Sequence, residues 1–422
     1  MTESTPSAAS EKPVLRGSRN TNWKSFGRVA RIVIPLLILA GAIALYHSAA
    51  SYWTRFYGLS LALAFVAYLA AIGRGRMRDI AVIAASILIG LAAVEAYCVL
   101  HFRTSIDTNT AGYSVYNPVL GWGPGHPGAY HHVKTDLKTG RVVLDVEYTI
   151  DAHLTRTVDS PADAPTVAIG GGSDVFGTGV PDSATLPQAF ADATGRRFHV
   201  VNLAFSGYGP QQFLRTLETG LHDDIMTRPR VFVFAAAPEL AERSACNRGY
   251  TLHGPRYQIV DGQATYTGTC GECFPLPLRW LFMATSLFDI IAAPLDDQTV
   301  RQKLDLYIAI LIRAGQLARE KYSAQMAVFY LDGTGYPEGG GLTDDEVIAR
   351  LRAGGLIVIK ARLDPAAFPG QELWISGDGH PSPLAHRARA ALLAQGLGSL
   401  LAPASDVPGQ PSGPGQPSSA PR

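Results

Sequence analysis

Ser173, Asp378 and His380 are the residues of this chain whose types and setting could do covalent chemistry. Ser173 stands in Ile169–Val180, I-G-G-G-S-D-V-F-G-T-G-V, after the β-branched run Thr166–Ile169 and ahead of a helical pattern that begins near Leu186. A strand, a Gly-rich turn with one serine and then a helix is one way to present a nucleophile, because glycine permits sharp turns and close approach. At the carboxyl end of a parallel strand, Ser173 would stand where open α/β sheets bind their ligands. Asp378 and His380 lie just ahead of the last helical pattern, in Ser376–His386, S-G-D-G-H-P-S-P-L-A-H. Attack by a hydroxyl on an ester needs a base to take its proton and an acid to orient that base. Taken alone, the first stretch serves equally as a phosphate cradle or a plain connection, and the second is ordinary turn composition. Their order along the chain is what assigns nucleophile, acid and base.

The elements that must hold these residues alternate. Strand patterns fall at Thr166–Ile169, Phe198–Leu203, Val231–Ala235, Met326–Leu331 and Leu356–Ile359. Helical patterns fall at Leu186–Thr194, Pro210–Leu221, Val300–Tyr322, Asp344–Ala353 and Pro383–Leu401. Within Val300–Tyr322 the residues Leu304, Ile308, Leu311, Gly315, Ala318 and Tyr322 keep the helical period, and the small pair Gly315 and Ala318 allows close approach. Thr343 with Glu346 is a capping-box signature. Alternation of this kind predicts a three-layer α/β domain with a parallel sheet. Residues 104–160, which include the alternating run Arg141–Ile150, read as a β-rich lead-in. Residues 240–298 interrupt the alternation with an insertion, in which Arg256–Ile259 and Ala264–Tyr266 flank the hairpin signal Asp261-Gly262.

In the order in which these blocks occur, the chain resembles the SGNH (GDSL-type) hydrolases, and specifically their membrane-anchored bacterial members. The carriers are G-G-S-D-V-F-G-T-G-V, then V-V-N-L-A-F-S-G-Y-G-P-Q at Val200–Gln211, then D-G-H-P-S-P-L-A-H, preceded by N-P-V-L-G-W at Asn117–Trp122. Together they cover most of residues 113–400. The resemblance implies a flavodoxin-like strand order, ester hydrolysis through an acyl-enzyme, and a Ser173–His380–Asp378 triad. It also implies oxyanion donors at the backbone N–H of Ser173 and of Gly207, with no metal and no cofactor. Asn202 matches a structural asparagine of the second block, and His386 reads as a packing residue of the trailing helix.

Three departures from the family pattern stand out. The asparagine that supplies the third oxyanion donor after the third strand is missing, for Ala235–Leu240 reads A-A-A-P-E-L, and Pro238 lacks even a backbone donor. One such donor is worth ~2.7–4 kcal/mol of transition-state stabilisation. Arg243 and Asn247 follow nearby in sequence. Gly172 stands where an Asp usually precedes the serine, and Asp174 follows it, where a carboxylate either repels the oxyanion or points away.

The front of the chain holds the hydrophobic excess. Ile32–Tyr46, Phe56–Ile72 and Ile80–Leu100 each approach the ~20 residues of a membrane span. Lys12, Arg16, Arg19, Lys24, Arg28 and Arg31 precede the first, and Arg74, Arg76 and Arg78 separate the second from the third. The positive-inside rule then predicts a three-helix transmembrane anchor over residues 29–103 in the inner membrane, with the later chain outside the cytoplasm. A two-span arrangement would place it inside. Glu95 is expected to reach the headgroup region, five residues or ~8 Å from the end of the third stretch. Residues 1–28 read as a disordered cytoplasmic tail and 403–422 as a second disordered tail. The hydrolase domain is expected over residues 161–402.

Of four cysteines, Cys246, Cys270 and Cys273 lie in the insertion and Cys98 in the third apolar stretch. C-G-E-C fits a redox pair or half a zinc site, but outside the cytoplasm a structural disulfide among the three is the expectation. His126, His131 and His132 have no cysteine or carboxylate at ligand spacing and read as packing or surface residues. A net charge of +1 with no basic footprint argues against nucleic acid. The expected function is a membrane-anchored, extracytoplasmic serine esterase that removes acyl, preferably acetyl, groups from cell-surface or exported polysaccharide, beside an export or synthesis complex. Acyl transfer to a glycan by the same triad, or a non-catalytic glycan-binding or assembly subunit, are the alternatives.

Overall fold

The structure is a computed structural model that describes residues 31–38, 40–41, 52–102, 105–273, 298–332 and 342–402. Both expected tails lie outside the described residues. The chain divides into two compact units, one containing Tyr57–Gly90 and the other Leu91–Arg422.

Helices α1 (Tyr52–Ile72) and α2 (Arg76–Phe102) cover two of the three expected spans. Among the described residues one helix, Arg76–Cys98, is long and apolar enough to cross a membrane, and Ser60–Ile72 is a shorter apolar helix. The first expected span, Ile32–Tyr46, lies partly outside the described residues. Of the expected three-helix anchor, one qualifying helix is found among the described residues. Glu95 is buried, not turned to a surface, as is Cys98.

The second unit opens with β1 (Ser105–Asn109), the short pair β2 (Val115–Asn117) and β3 (Gly121–Gly123), then β4 (Gly128–Asp136) and β5 (Val142–Ile150). Strands β1, β4 and β5 form an antiparallel sheet, in which the register shifts between Lys134 and Thr135 and β5 carries the extra residue, Val143. His132, on the buried side, bonds Tyr148 through Nδ1 at 2.8 Å and Asp107 through Nε2 at 3.1 Å. His131 meets Asp145 at 2.6 Å, and His126 stacks on Tyr130.

The main sheet contains β6 (Thr166–Gly170), β7 (His199–Asn202), β8 (Pro229–Ala236), β11 (Gln325–Tyr330) and β12 (Ile357–Lys360), all parallel in the order β12-β11-β8-β6-β7. This is the flavodoxin-like order. Its winding reverses at β6: the connection to β7 runs one way and that to β8 the other. Right-handed crossovers then put successive helices on opposite faces. Accordingly α4 (Leu186–Ala193) packs on α9 (Pro383–Gly396), while α5 (Pro210–Thr219) packs on α7 (Val300–Tyr322) and α7 on α8 (Asp344–Ala353). Val167, Ile169, Phe232, Phe234, Val328 and Tyr330 are buried between the layers, as strands covered on both faces require.

Local signals set the helix ends. Thr343 and Glu346 form the expected capping box, and Thr299 with Gln302 forms another. A Cβ on Gly315 would stand 2.3 Å from Leu356, so the small residue is what lets α7 lie against the strand beyond. The last helical pattern breaks at Leu397 into α9 and the short α10 (Gly398–Leu401).

The insertion holds α6 (Leu240–Ser244) and the hairpin β9 (Pro255–Val260) with β10 (Gln263–Thr269), turning at Asp261-Gly262 with φ of 50° and 78°. Two positive φ values are what a type I′ turn needs. Cys246 and Cys270 form a disulfide with 5.5 Å between Cα atoms. The Cys273 side chain and residues 274–297 lie outside the described residues. Peptide mapping of the oxidised protein under non-reducing conditions is expected to yield a Cys246–Cys270 linked pair. Reduction should cost about 3 kcal/mol of stability for a loop of this length. Three alkylated thiols, or bound zinc, would reject the bridge.

Candidate active site

Ser173 is the first residue of α3 (Ser173–Phe176), directly beyond β6 and at the switch point where the winding of the sheet reverses. In open α/β sheets this crevice is where ligands bind. Ser173 is half-buried, and beneath it Val175 and Phe176 are buried in the core.

The loop that follows is held by Arg156, which is 1% exposed. Its Nη1 donates to the carbonyls of Phe176 and Gly177 at 2.7 and 2.6 Å, and its Nη2 to that of Val180 at 2.7 Å. Nε donates to Asp182 at 2.8 Å. The guanidinium also lies 4.3 Å from the centre of the Tyr148 ring and 4.9 Å from that of Phe176. Burial lowers its pKa from the ordinary arginine value, and Asp182 opposes that shift.

Asp378 and His380 sit on the loop before α9. Nδ1 of His380 donates to Oδ2 of Asp378 at 2.5 Å, and the His380 backbone N–H reaches the same oxygen at 3.2 Å. With Nδ1 bonded to the acid, Nε2 is the nitrogen left to accept a proton. The loop is closed by Ile375 N–H on the His380 carbonyl at 2.8 Å and by Asp378 N–H on the Ile375 carbonyl at 3.0 Å. Ile375 packs against Gly179, so the loop is a neighbour of the segment that follows Ser173. Among the described residues no hydrogen bond joins Ser173 Oγ to His380. Catalytic contacts of this kind often close only around substrate.

Sequence reasoning missed Lys134. Its Nζ donates to the second oxygen of Asp378, Oδ1, at 2.5 Å, across a side chain that is 1% exposed. The bulge between β4 and β5 falls next to Lys134, with its extra residue, Val143, on β5. No local pattern marks such a bulge, so no signal in the sequence tied Lys134 to the site. Burial resists ionisation of Asp378. Hydrogen bonds and charge from His380 and Lys134 outweigh it and hold the carboxyl well below the usual carboxylate range.

Gly207 follows β7 in a turn fixed from several sides. Trp122 Nε1 donates to the Ser206 carbonyl at 2.9 Å, the Tyr208 hydroxyl to the Trp122 carbonyl at 2.6 Å, and the Ser206 hydroxyl meets Tyr113 and Thr178 at 3.0 and 3.2 Å. The N-P-V-L-G-W block thus supports this turn. Buried Asn202 accepts from the Ala204 N–H at 3.1 Å, a structural position. Asp174 is near enough to Arg389 for their charges to interact, and Arg389 lies over Trp374, 5.1 Å from its centre. Buried His386 has no partner at either ring nitrogen among the described residues. Burial, then the charges of Arg389, Arg156 and His380, push its pKa down to about 3. It stays neutral, as a packing residue must.

No protein-family model matches the chain, and no curated protein matches it. Solved structures similar to it include the psychrotrophic esterase EstA from Pseudoalteromonas sp., at 12% identity and TM-score 0.32, over 56% of this chain and 98% of that one. A carbohydrate acetylesterase family member from Sinorhizobium meliloti shares 14% identity at TM-score 0.33, over 56% of this chain and 98% of that one. TesA shares 15% identity at TM-score 0.32, over 56% and 99%.

Removing Lys134 takes away one of the groups that hold the Asp378 carboxyl below the usual carboxylate range. In Lys134→Met the titration of Asp378 is therefore expected to move to higher pH, and the acid-side loss of activity that follows its protonation should begin at higher pH than in the wild type. The wild-type carboxyl should add no step above pH ~4, the ordinary carboxylate value. An acid-side profile that stays in place, or moves to lower pH, would show that Lys134 does not act through the acid.

Proposed function

We propose that the chain is an SGNH-type serine hydrolase that cleaves an acyl ester, with Ser173 as nucleophile, His380 as base and Asp378 as the acid that orients it. The observation that carries this reading is the 2.5 Å Asp378–His380 bond on a loop packed against the segment after Ser173. Ser173 Oγ attacks the acyl carbon while Nε2 of His380 takes its proton. The carbonyl oxygen becomes an oxyanion facing the N–H groups of Ser173 and Gly207. Collapse expels the alcohol, protonated by His380, and leaves an acyl-serine. Water, deprotonated by the same nitrogen, releases the acid and restores the hydroxyl.

An acetylated glycan is the preferred substrate. Trp374, six residues before His380, is 48% exposed although large and apolar. An indole at the rim of a site offers the flat apolar face on which a sugar ring can lie, with its N–H free for a polar partner. A position outside the cytoplasm at the inner membrane is favoured by the disulfide, by α2, and by the arginines before it. The mapping of Cys246 and Cys270 tests this, because a cytoplasmic domain would keep both thiols reduced. An acceptor sugar in place of water would turn the same steps into acyl transfer. The absence of a Ser173–His380 hydrogen bond among the described residues favours, as a second reading, a glycan-binding subunit without turnover.

A fluorophosphonate probe is expected to label Ser173, with labelling lost in Ser173→Ala and reduced at least ~100-fold in rate in His380→Ala, the usual contribution of a positioned base. A folded wild-type protein that neither takes the probe nor hydrolyses aryl acetates would leave the glycan-binding reading. Trp374→Ala should raise KM for acetylated oligosaccharides several-fold and leave aryl acetate hydrolysis unchanged. Equal effects on both substrates would remove Trp374 from the sugar site.

A further inference from the structure

We infer that Arg243 supplies the third oxyanion donor, an inference that rests on the hydrolase reading above. Arg243 lies on α6, which follows β8, and is half-buried. Its Nη1 donates to the Tyr208 carbonyl at 2.7 Å, one residue beyond Gly207. The same nitrogen stands 2.8 Å from the point a Cβ on Gly172 would occupy, one residue before Ser173. One guanidinium nitrogen therefore bonds the main chain one residue beyond Gly207 and stands in the space a side chain at Gly172 would need. The Arg243 carbonyl accepts from Gln211 Nε2 at 3.0 Å, which ties α6 to the start of α5.

The other nitrogens of the fork, Nε and Nη2, have no hydrogen-bond partner among the described residues and are not buried without one. A guanidinium fixed at one corner with donors to spare suits a developing negative charge. It is planar, always protonated and more weakly hydrated than an ammonium. A donor that carries full charge makes a stronger hydrogen bond than the neutral amide it would replace.

The geometry also joins two departures from the family pattern. Gly172 has φ −92° and ψ −151°, an extended conformation open to any residue. Backbone strain therefore does not demand glycine here. The demand is space: a Cβ at 172 would stand 2.8 Å from Nη1 and 3.1 Å from the Tyr208 carbonyl oxygen that Nη1 bonds. Loss of the usual Asp before the serine and loss of the asparagine after β8 are then one change, since the arginine takes the place of both.

Kinetics of the full-length protein on a neutral aryl acetate test this. Arg243→Ala is expected to lower kcat ~100- to 1,000-fold, as loss of one oxyanion donor does elsewhere, with KM within about twofold. Guanidinium ion at sub-denaturing concentration should restore part of the rate in Arg243→Ala and none in Ser173→Ala. Gly172→Ala, which adds only a methyl where Nη1 stands, should lower kcat in the same manner, and the double variant should be no worse than Arg243→Ala alone. Unchanged kcat on the neutral ester would overturn the role, as would additive losses in the double variant. Loss confined to KM for anionic esters would make Arg243 a substrate-carboxylate clamp instead and overturn it too. A wild-type protein that fails to take the Ser173 probe removes the hydrolase reading and Arg243 with it. A labelled wild type with an unaffected Arg243→Ala removes Arg243 only.

Discussion

The buried guanidinium of Arg156 is the constraint on which the site depends. Desolvating a charge of this kind costs several kcal/mol unless its hydrogen bonds are met. Here the partners are Asp182 and three carbonyls of the segment just after Ser173. Satisfying the arginine therefore fixes the path of the chain behind Ser173. Arg156 also bridges to Ile150 at the end of β5 and to Asn202 at the end of β7. One residue joins the lead-in sheet, the edge of the main sheet and the loop after Ser173. The lead-in is for that reason part of the architecture of the main domain and not an appendage to it.

The second joint between lead-in and site is Lys134 on Asp378. A carboxylate has two oxygens, and here one orients His380 while the other meets an ammonium. The lysine keeps the acid ionised and in place, yet it lessens the pull of that acid on an imidazolium. The arrangement fixes the orientation of the carboxylate from both sides. Stability follows the same sign. A carboxyl whose folded pKa is depressed contributes above its unfolded value near 3.9 and loses that contribution as pH falls through the folded one.

Much of the sheet was legible because its signals are local. The five strand patterns lie within about two residues of the observed strands, and Val300–Tyr322 and Asp344–Ala353 keep their ends, both fixed by capping boxes. The strand order is not written in periodicity and came from the motif resemblance. Lys134 and Arg156 escaped for a physical reason: each acts through a partner more than twenty residues away, which no local pattern names. Arg243 was visible only as a residue near a missing asparagine. Of the three apolar stretches at the front, one forms a helix long and apolar enough to cross a membrane among the described residues.

The insertion acquires a function from its position. Cys246 lies three residues beyond Arg243 and is bridged to Cys270 at the foot of the β9–β10 hairpin. The hairpin is itself seated on the main domain, with the Tyr257 hydroxyl on Glu218 at 2.6 Å and the Arg215 guanidinium 3.7 Å from the centre of the Tyr266 ring. Helix α6 is only five residues long and has no side-chain cap, so its own hydrogen bonds hold it weakly. The bridge on one side and Gln211 on the other supply the rigidity it lacks. An oxyanion donor stabilises a transition state only to the extent that it is already in place. On that ground the disulfide belongs to the preorganisation of the site: it anchors the short helix from which Arg243 reaches Gly172 and Tyr208.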